Sequence, residues 1–178
     1  MPTLIESCRW LDTLTGPDAA LRRAVVRRAH ADIGIEENTG AANRSTYIDE
    51  VVEEAGSPLG SAWCGCVAHQ WAKDTGAARP PRNAGAVRVW VAWAKANGTW
   101  HDVDSGYQVQ PGDWVCYDMA SDGIADHIGV AARVHARGVR TIEGNTSWAG
   151  FSREGVAVAM KPIAASRILG YIELREAA

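Results

Sequence analysis

Several features that define common classes of protein are missing from this sequence. It has no run of about 18 uninterrupted apolar residues, so we expect neither a membrane-spanning helix nor stable insertion into a membrane. Basic residues are not in surplus, since 18 Lys and Arg stand against 21 Asp and Glu, for a net charge of −3. Nucleic-acid binders usually carry a basic surplus, so we expect no nucleic acid among the partners.

An export signal and a metal motif are missing as well. The first residues, MPTLIESCRWLDTL, lack a basic segment followed by an apolar core, so we expect synthesis in the cytoplasm without a signal peptide. The four cysteines, Cys8, Cys64, Cys66 and Cys116, are therefore expected to be reduced. Zinc sites use paired Cys-x-x-Cys or His spacings, and Cys64-Gly65-Cys66 has no second pair. We expect no metal and no cofactor.

Size and composition are those of one globular domain. The chain has 178 residues, of which 47% are hydrophobic and 22% charged, and we expect a single domain over residues 1–178. The aromatic content is unusual, with eight Trp and one Phe. Eight indole rings exceed the usual need of a small core, so some of them are candidates for lining a binding groove.

The first half of the sequence has the apolar spacing of helices. A basic helix is predicted over about residues 18–33, with Asp18 as its cap and four arginines on its polar side: Arg22, Arg23, Arg27 and Arg28. The spacing of Thr46 and Asp49 is that of a capping box at the start of a second helix. Two more helices are predicted over about residues 63–75 and 86–96.

The second half has the alternation and turn residues of strands. Five segments are candidates: PGDWVCYDM, HIGVAARV, VRTIEGN, GVAVAMKPI and ILGYIELR. HARG is predicted to connect the second and third as a hairpin. Helices followed by strands indicate an α+β fold, with the helices packed on an antiparallel sheet of about five or six strands.

Cys64 is the candidate nucleophile because it falls in the first turn of the third predicted helix. A helix N-terminus carries partial positive charge and free N–H donors. Both favour a thiolate, and the same donors can hold an oxyanion. A buried cysteine that packs as a small hydrophobe is the alternative.

A thiolate nucleophile needs a base, and the base needs an orienting group. Among five histidines, His127 is the best candidate, since it begins a strand that can face a helix N-terminus. On the next strand, Glu143 and Asn145 are two residues apart and are expected to face the same side. Either can accept a hydrogen bond from the imidazole, and the sequence leaves the choice open.

Four short motifs occur in a particular order. Trp-Cys opens a helix, Pro-Gly-Asp precedes a strand, His-Ile-Gly-Val lies on the next strand and Glu-Gly-Asn on the one after. This order resembles the CHAP domain, the cysteine, histidine-dependent amidohydrolase/peptidase of bacterial cell-wall lysis. The resemblance covers about residues 33–172, and the stretch IGIEENTGAANRSTYIDEVVEE resembles the lead-in of phage-type members. It implies a papain-like fold of the CHAP/NlpC type.

The resemblance also implies a function. Cys64 would be the nucleophile and His127 the base, with Glu143 and Asn145 at the orienting and site-polar positions. The partner would be peptidoglycan, cleaved either as an N-acetylmuramoyl-L-alanine amidase or as an endopeptidase of the stem peptide or cross-bridge. The chain would be a compact monomeric endolysin that reaches the wall by holin-type release. Some members bind calcium through an Asp-x-Asp loop before the nucleophile, which SPLGSAWC lacks.

Other assignments remain open. The chain could be a catalytically idle wall-binding or virion structural module, or a cytoplasmic cysteine hydrolase of a small amide. Cys66 is a second candidate nucleophile, although the Trp before Cys64 favours Cys64. Trp63 and Trp148 are candidate substrate-binding walls, with ordinary core packing as the alternative.

Overall fold

The structure, a computed structural model, describes residues 9–135, 138–148, 155–162 and 165–177. In these ranges four α-helices precede six strands. The helices are α1 (Ala19–Ala31), α2 (Thr46–Glu54), α3 (Cys64–Thr75) and α4 (Val87–Ala96). The strands are β1 (Trp100–Asp102), β2 (Trp114–Tyr117), β3 (His127–His135), β4 (Gly138–Thr146), β5 (Ala157–Pro162) and β6 (Ile168–Ile172). The predicted α+β class is confirmed.

The six strands form one antiparallel sheet in the order β1-β6-β2-β3-β4-β5. All five predicted strand segments form strands of this sheet, and its size agrees with the expected five or six. β1 was not predicted, because three residues are too few to reveal a period of two. Its position is fixed instead by pairing with β6, where Trp100 lies opposite Ile172.

The helix positions agree with the apolar spacing, but two predicted caps are wrong. Asp18 precedes α1 with a φ of 62°, and its side chain makes no capping hydrogen bond. In α2 the cap is Ser45, whose hydroxyl accepts the N–H of Ile48 at 3.2 Å, and not the predicted pair of Thr46 and Asp49. Ser45 has the extended conformation that a capping residue needs.

α3 packs against α1 and α2 and against the central strands β3 and β4. Its buried side chains run from Cys64 to Ala72, with Gln70 as the exception. Half of the eight tryptophans are fully buried in the same core: Trp63, Trp71, Trp90 and Trp114. Much of the tryptophan surplus therefore fills the interior between helices and sheet.

A buried ion pair joins α1 to the start of β2. Arg22 was predicted on the polar side of α1, yet it is 5% exposed and donates to Asp113 at 2.8 Å. The same carboxylate accepts the backbone N–H groups of Gln110 and Leu174, at 2.7 and 3.0 Å. The polar side of α1 is thus not wholly exposed to solvent, because a fully buried carboxylate next to it requires a cation.

Some predictions fall at the limits of the described ranges. Cys8 lies outside them, as do residues 136 and 137 of the predicted hairpin connection. The strands on either side of this connection pair as a hairpin, from Gly129 opposite Glu143 to His135 opposite Gly138. Within the described ranges, no helix has the length and apolar character needed to cross a membrane.

Candidate active site

Cys64 is the first residue of α3, and Trp63 before it provides no side-chain cap. The first N–H groups of a helix have no intrahelical acceptor and carry partial positive charge, which favours an anion at this end. The start of α3 lies close against another segment, since a Cβ on Gly65 would be 2.2 Å from the carbonyl oxygen of Ala84. Glycine is therefore the residue that fits between Cys64 and Cys66.

His127 and Glu143 lie on the adjacent strands β3 and β4 and are 0% and 1% exposed. The distance between Nε2 of His127 and Oε2 of Glu143 is 3.1 Å. Gly129 makes this contact feasible, because Glu143 is its partner across the strands and a Cβ on Gly129 would lie 2.6 Å from Glu143 Cγ. Of the two residues considered for this role, Glu143 is therefore the one that contacts His127.

Asn145 has a different position from the one expected. It adopts a φ of 54°, and the register of β4 shifts between Glu143 and Thr146, so the expected alternation of faces is broken. The side chain accepts the backbone N–H of Trp63 at 3.2 Å and donates to the carbonyl of Gly155 at 2.8 Å. Asn145 thus holds the residue before the candidate nucleophile.

Glu143 is held by donors that were not predicted. The hydroxyl of Thr141 donates to Oε1 at 2.6 Å, and that of Thr146 donates to Oε2 at 3.2 Å. Lys161 on β5 is 3% exposed and donates from Nζ to the hydroxyl of Thr146 at 2.9 Å. The available signal was a lysine inside the apolar segment AVAMKP, since a buried charge requires polar partners.

The surroundings of His127 act on its pKa in opposite directions. Burial lowers this pKa, whereas Cys64 and Glu143 raise it, and together they raise the pKa of His127 to about 10. For Glu143, burial raises the pKa, but hydrogen bonds from His127 and Thr141 and the charge of Lys161 hold it below its ordinary value. The site therefore favours an imidazolium beside a carboxylate.

The two ring nitrogens of His127 have separate surroundings. Nε2 faces Glu143, while Nδ1 is buried and has no hydrogen-bond partner among the described residues, sulfur atoms included. Cys64 also acts on the ring and raises its pKa, and Nδ1 is the ring nitrogen that Glu143 leaves available. A sulfur at a helix N-terminus, an imidazole and an orienting carboxylate are the parts that cysteine acyl transfer needs.

Cys66 and Cys116 are free and buried, as is Cys64. Burial raises the pKa of the Cys66 thiol to about 12 and raises that of Cys116 as well. Thiols with such pKa values stay protonated at neutral pH, and a protonated thiol is a poor nucleophile. Cys64 is therefore the better candidate of the three.

The two tryptophans predicted as substrate walls differ in exposure. Trp63 is 0% exposed, and its Nε1 donates to Glu37 at 3.0 Å, so the alternative of core packing describes it. Trp148 is 54% exposed, and its Nε1 donates to Glu36 at 2.7 Å. The ring of Trp148 is thus accessible, as a substrate wall must be.

Comparison with known proteins gives little. No family model and no curated protein matches the chain. One similar solved structure is described as "The crystal structure of Ly7917", with 15% sequence identity and a TM-score of 0.43. The match covers 87% of this chain and 62% of that chain, so this chain spans less than two thirds of the length of the similar structure. A similarity this weak carries no argument about fold family or function.

Proposed function

We propose that this chain is a cysteine amidohydrolase/peptidase with a papain-like fold that acts on peptidoglycan. The proposal depends on one observation, the 3.1 Å contact between buried His127 and Glu143 beside Cys64 at the N-terminus of α3. The order of motifs that resembles the CHAP domain supports cell-wall amides as substrates. The accessible ring of Trp148 supports a place for the wall peptide or sugar.

In the proposed reaction, the Cys64 thiolate attacks the carbonyl carbon of a wall amide, and a C–S bond forms. N–H groups at the start of α3 stabilise the oxyanion. The C–N bond then breaks as Nδ1 of His127 gives its proton to the departing amine. Nδ1 next takes a proton from water, whose oxygen attacks the thioester, and the C–S bond breaks to release the acid and regenerate the thiolate.

Glu143 keeps the proton on Nε2 of His127 throughout this cycle. A carboxylate that accepts Nε2–H fixes the tautomer and the orientation of the ring. Nδ1 is then the single ring atom that exchanges protons with Cys64, the leaving amine and water. The side chain of Asn145 instead accepts the backbone N–H of Trp63 and so positions the residue before Cys64.

The test is digestion of purified peptidoglycan by the wild type and by Cys64→Ala, with mass spectrometry of the released fragments. Cys66→Ala is the matched control, since this thiol lies two residues away in the same helix. We expect the wild type and Cys66→Ala to release fragments and Cys64→Ala to release none. The new termini then distinguish an amidase from an endopeptidase. If Cys64→Ala is as active as the wild type, Cys64 is not the nucleophile, and Cys66 becomes the next candidate.

Burial of the site favours one alternative, hydrolysis of a small amide. Cys64 is 2% exposed and His127 is 0% exposed, so a wall polymer has to displace neighbouring side chains to reach the sulfur. A small amide needs less displacement. If the protein hydrolyses small amides but releases no fragments from cell walls of several chemotypes, hydrolysis of a small amide replaces cell-wall lysis as the function. Inactivity on both substrates would indicate the idle wall-binding or structural module.

A further inference from the structure

We propose that Lys161 is a positioning residue of the candidate active site and acts on Glu143 through the hydroxyl of Thr146. This inference rests on the proposed cysteine chemistry. It follows from a chain of buried contacts: Lys161 to Thr146 at 2.9 Å, Thr146 to Glu143 at 3.2 Å and Glu143 to His127 at 3.1 Å. The chain crosses the sheet from β5 through β4 to β3.

Lys161 sets the direction of these hydrogen bonds. An ammonium group has donors and no acceptor, whereas a hydroxyl has one donor and two acceptor positions. Because Lys161 donates to Thr146, the single proton of that hydroxyl is available for Oε2 of Glu143. Thr141 occupies the other carboxylate oxygen, so both oxygens of Glu143 accept and neither needs a proton of its own.

Lys161 also supplies a positive charge near the carboxylate of Glu143, whose ionisation is opposed by burial. Glu143 is 1% exposed and Lys161 is 3% exposed, and buried charges are weakly screened by salt. Burial lowers the pKa of Lys161, while the carboxylate of Glu143 raises it, so each group favours the charged form of the other. An ammonium one hydroxyl away therefore helps to keep Glu143 ionised.

An ionised Glu143 keeps a proton on Nε2 of His127, so that Nδ1 is the atom that acts as the base. A protonated Glu143 would no longer be an obligatory acceptor for Nε2–H, and the ring would lose its fixed tautomer. The titratable groups that act on the imidazole or on its partners come from four elements: Cys64 on α3, Cys116 and Tyr117 on β2, Glu143 on β4 and Lys161 on β5. Lys161 is the cation of this set, so its removal takes away positive charge that favours the ionised form of Glu143.

The experiment measures the rate of Cys64 alkylation by iodoacetamide against pH, with residue-level mass spectrometry to separate the four cysteines. In Lys161→Met we expect the acid limb of the profile to move upward by about one pH unit, because the imidazolium loses its ionised partner at a higher pH. Thr146→Val should move it in the same direction, while Thr146→Ser keeps the hydroxyl and should keep the wild-type profile. Lys73→Met is the control, since Lys73 pairs with Glu54 at the surface.

The possible outcomes separate this inference from the proposed function. A wild-type Cys64 that reacts only above about pH 8.5, as an ordinary thiol does, contradicts the proposed cysteine chemistry itself. If Cys64 of the wild type reacts at acidic pH and neither Lys161→Met nor Thr146→Val shifts its pH profile, the role of Lys161 alone is overturned. Circular dichroism checks folding, and if Lys161→Met does not fold, the difference between Thr146→Val and Thr146→Ser decides.

Discussion

Replacing Gly129 by alanine should separate Glu143 from His127 although neither of these two residues is replaced. The added Cβ would lie 2.6 Å from Cγ of Glu143 and 2.9 Å from the carbonyl oxygen of Ile142. Carbon atoms in contact prefer about 3.5–4.0 Å, so the Glu143 side chain has to move by about 1 Å. Such a shift extends the 3.1 Å contact between His127 Nε2 and Glu143 Oε2 beyond the range of a hydrogen bond.

We expect Gly129→Ala to slow the release of wall fragments by about 100-fold, since misplacing a reacting constellation by ~1 Å costs about that much. Overpacking should also lower the free energy of unfolding by about 1–3 kcal/mol. The assays are the initial rate of fragment release, measured well below the unfolding temperature, and urea denaturation of the same samples.

Val130→Ala is the matched control for stability. Val130 is fully buried next to Gly129 and pairs with Ile142 across the strands. Its truncation leaves a cavity and should cost about 1–3 kcal/mol, but it leaves the path of the Glu143 side chain clear. The reasoning is refuted if folded Gly129→Ala keeps wild-type activity, or if both variants lose activity to the same degree.

Two further predictions concern titration and stability. In Cys64→Ala, the pKa of His127 should fall from about 10 towards its ordinary value, because Cys64 is the strongest of the groups that raise it; NMR titration of the imidazole measures this, and an unchanged pKa would mean that the sulfur does not act on the ring. Arg22→Met leaves the carboxylate of Asp113 buried without its cation and should lower the free energy of unfolding by about 3–5 kcal/mol. Arg27→Met breaks an exposed ion pair and should cost at most about 1 kcal/mol; equal losses of the two variants in urea denaturation would contradict the assigned burial.

Local periodicity was sufficient to predict the order of the four helices and of five of the six strands, with β1 as the exception. The third predicted helix, residues 63–75, differs from Cys64–Thr75 by one residue at its start. Its end was predicted correctly because Gly76, in the left-handed conformation, stops the helix. The candidate site could be predicted for the same reason. A helix N-terminus and two neighbouring strands of a hairpin bring Cys64, His127 and Glu143 near one another once the strands pair.

Contacts between distant segments could not be predicted from spacing. Arg22 and Asp113 are far apart in sequence, and nothing local distinguishes Arg22 from the other arginines of α1. Lys161 likewise shows no partner in its own strand, because its partner Thr146 lies across the pairing of β4 with β5. These contacts depend on which residues the folded sheet places side by side, and the amphipathic pattern of a single element holds no such information.

The irregularity in β4 explains why Glu143 and Asn145 act on different partners. In a regular strand, residues two apart face the same side, and both side chains would compete for the space beside His127. The register shift and the left-handed backbone of Asn145 turn its amide towards the N–H of Trp63 instead, a conformation that Asn adopts more readily than most residues. Gly144 lies between them against α3, where a Cβ would be 2.3 Å from Cγ1 of Val67. β4 thus contacts both parts of the site, the imidazole through Glu143 and the residue before the nucleophile through Asn145.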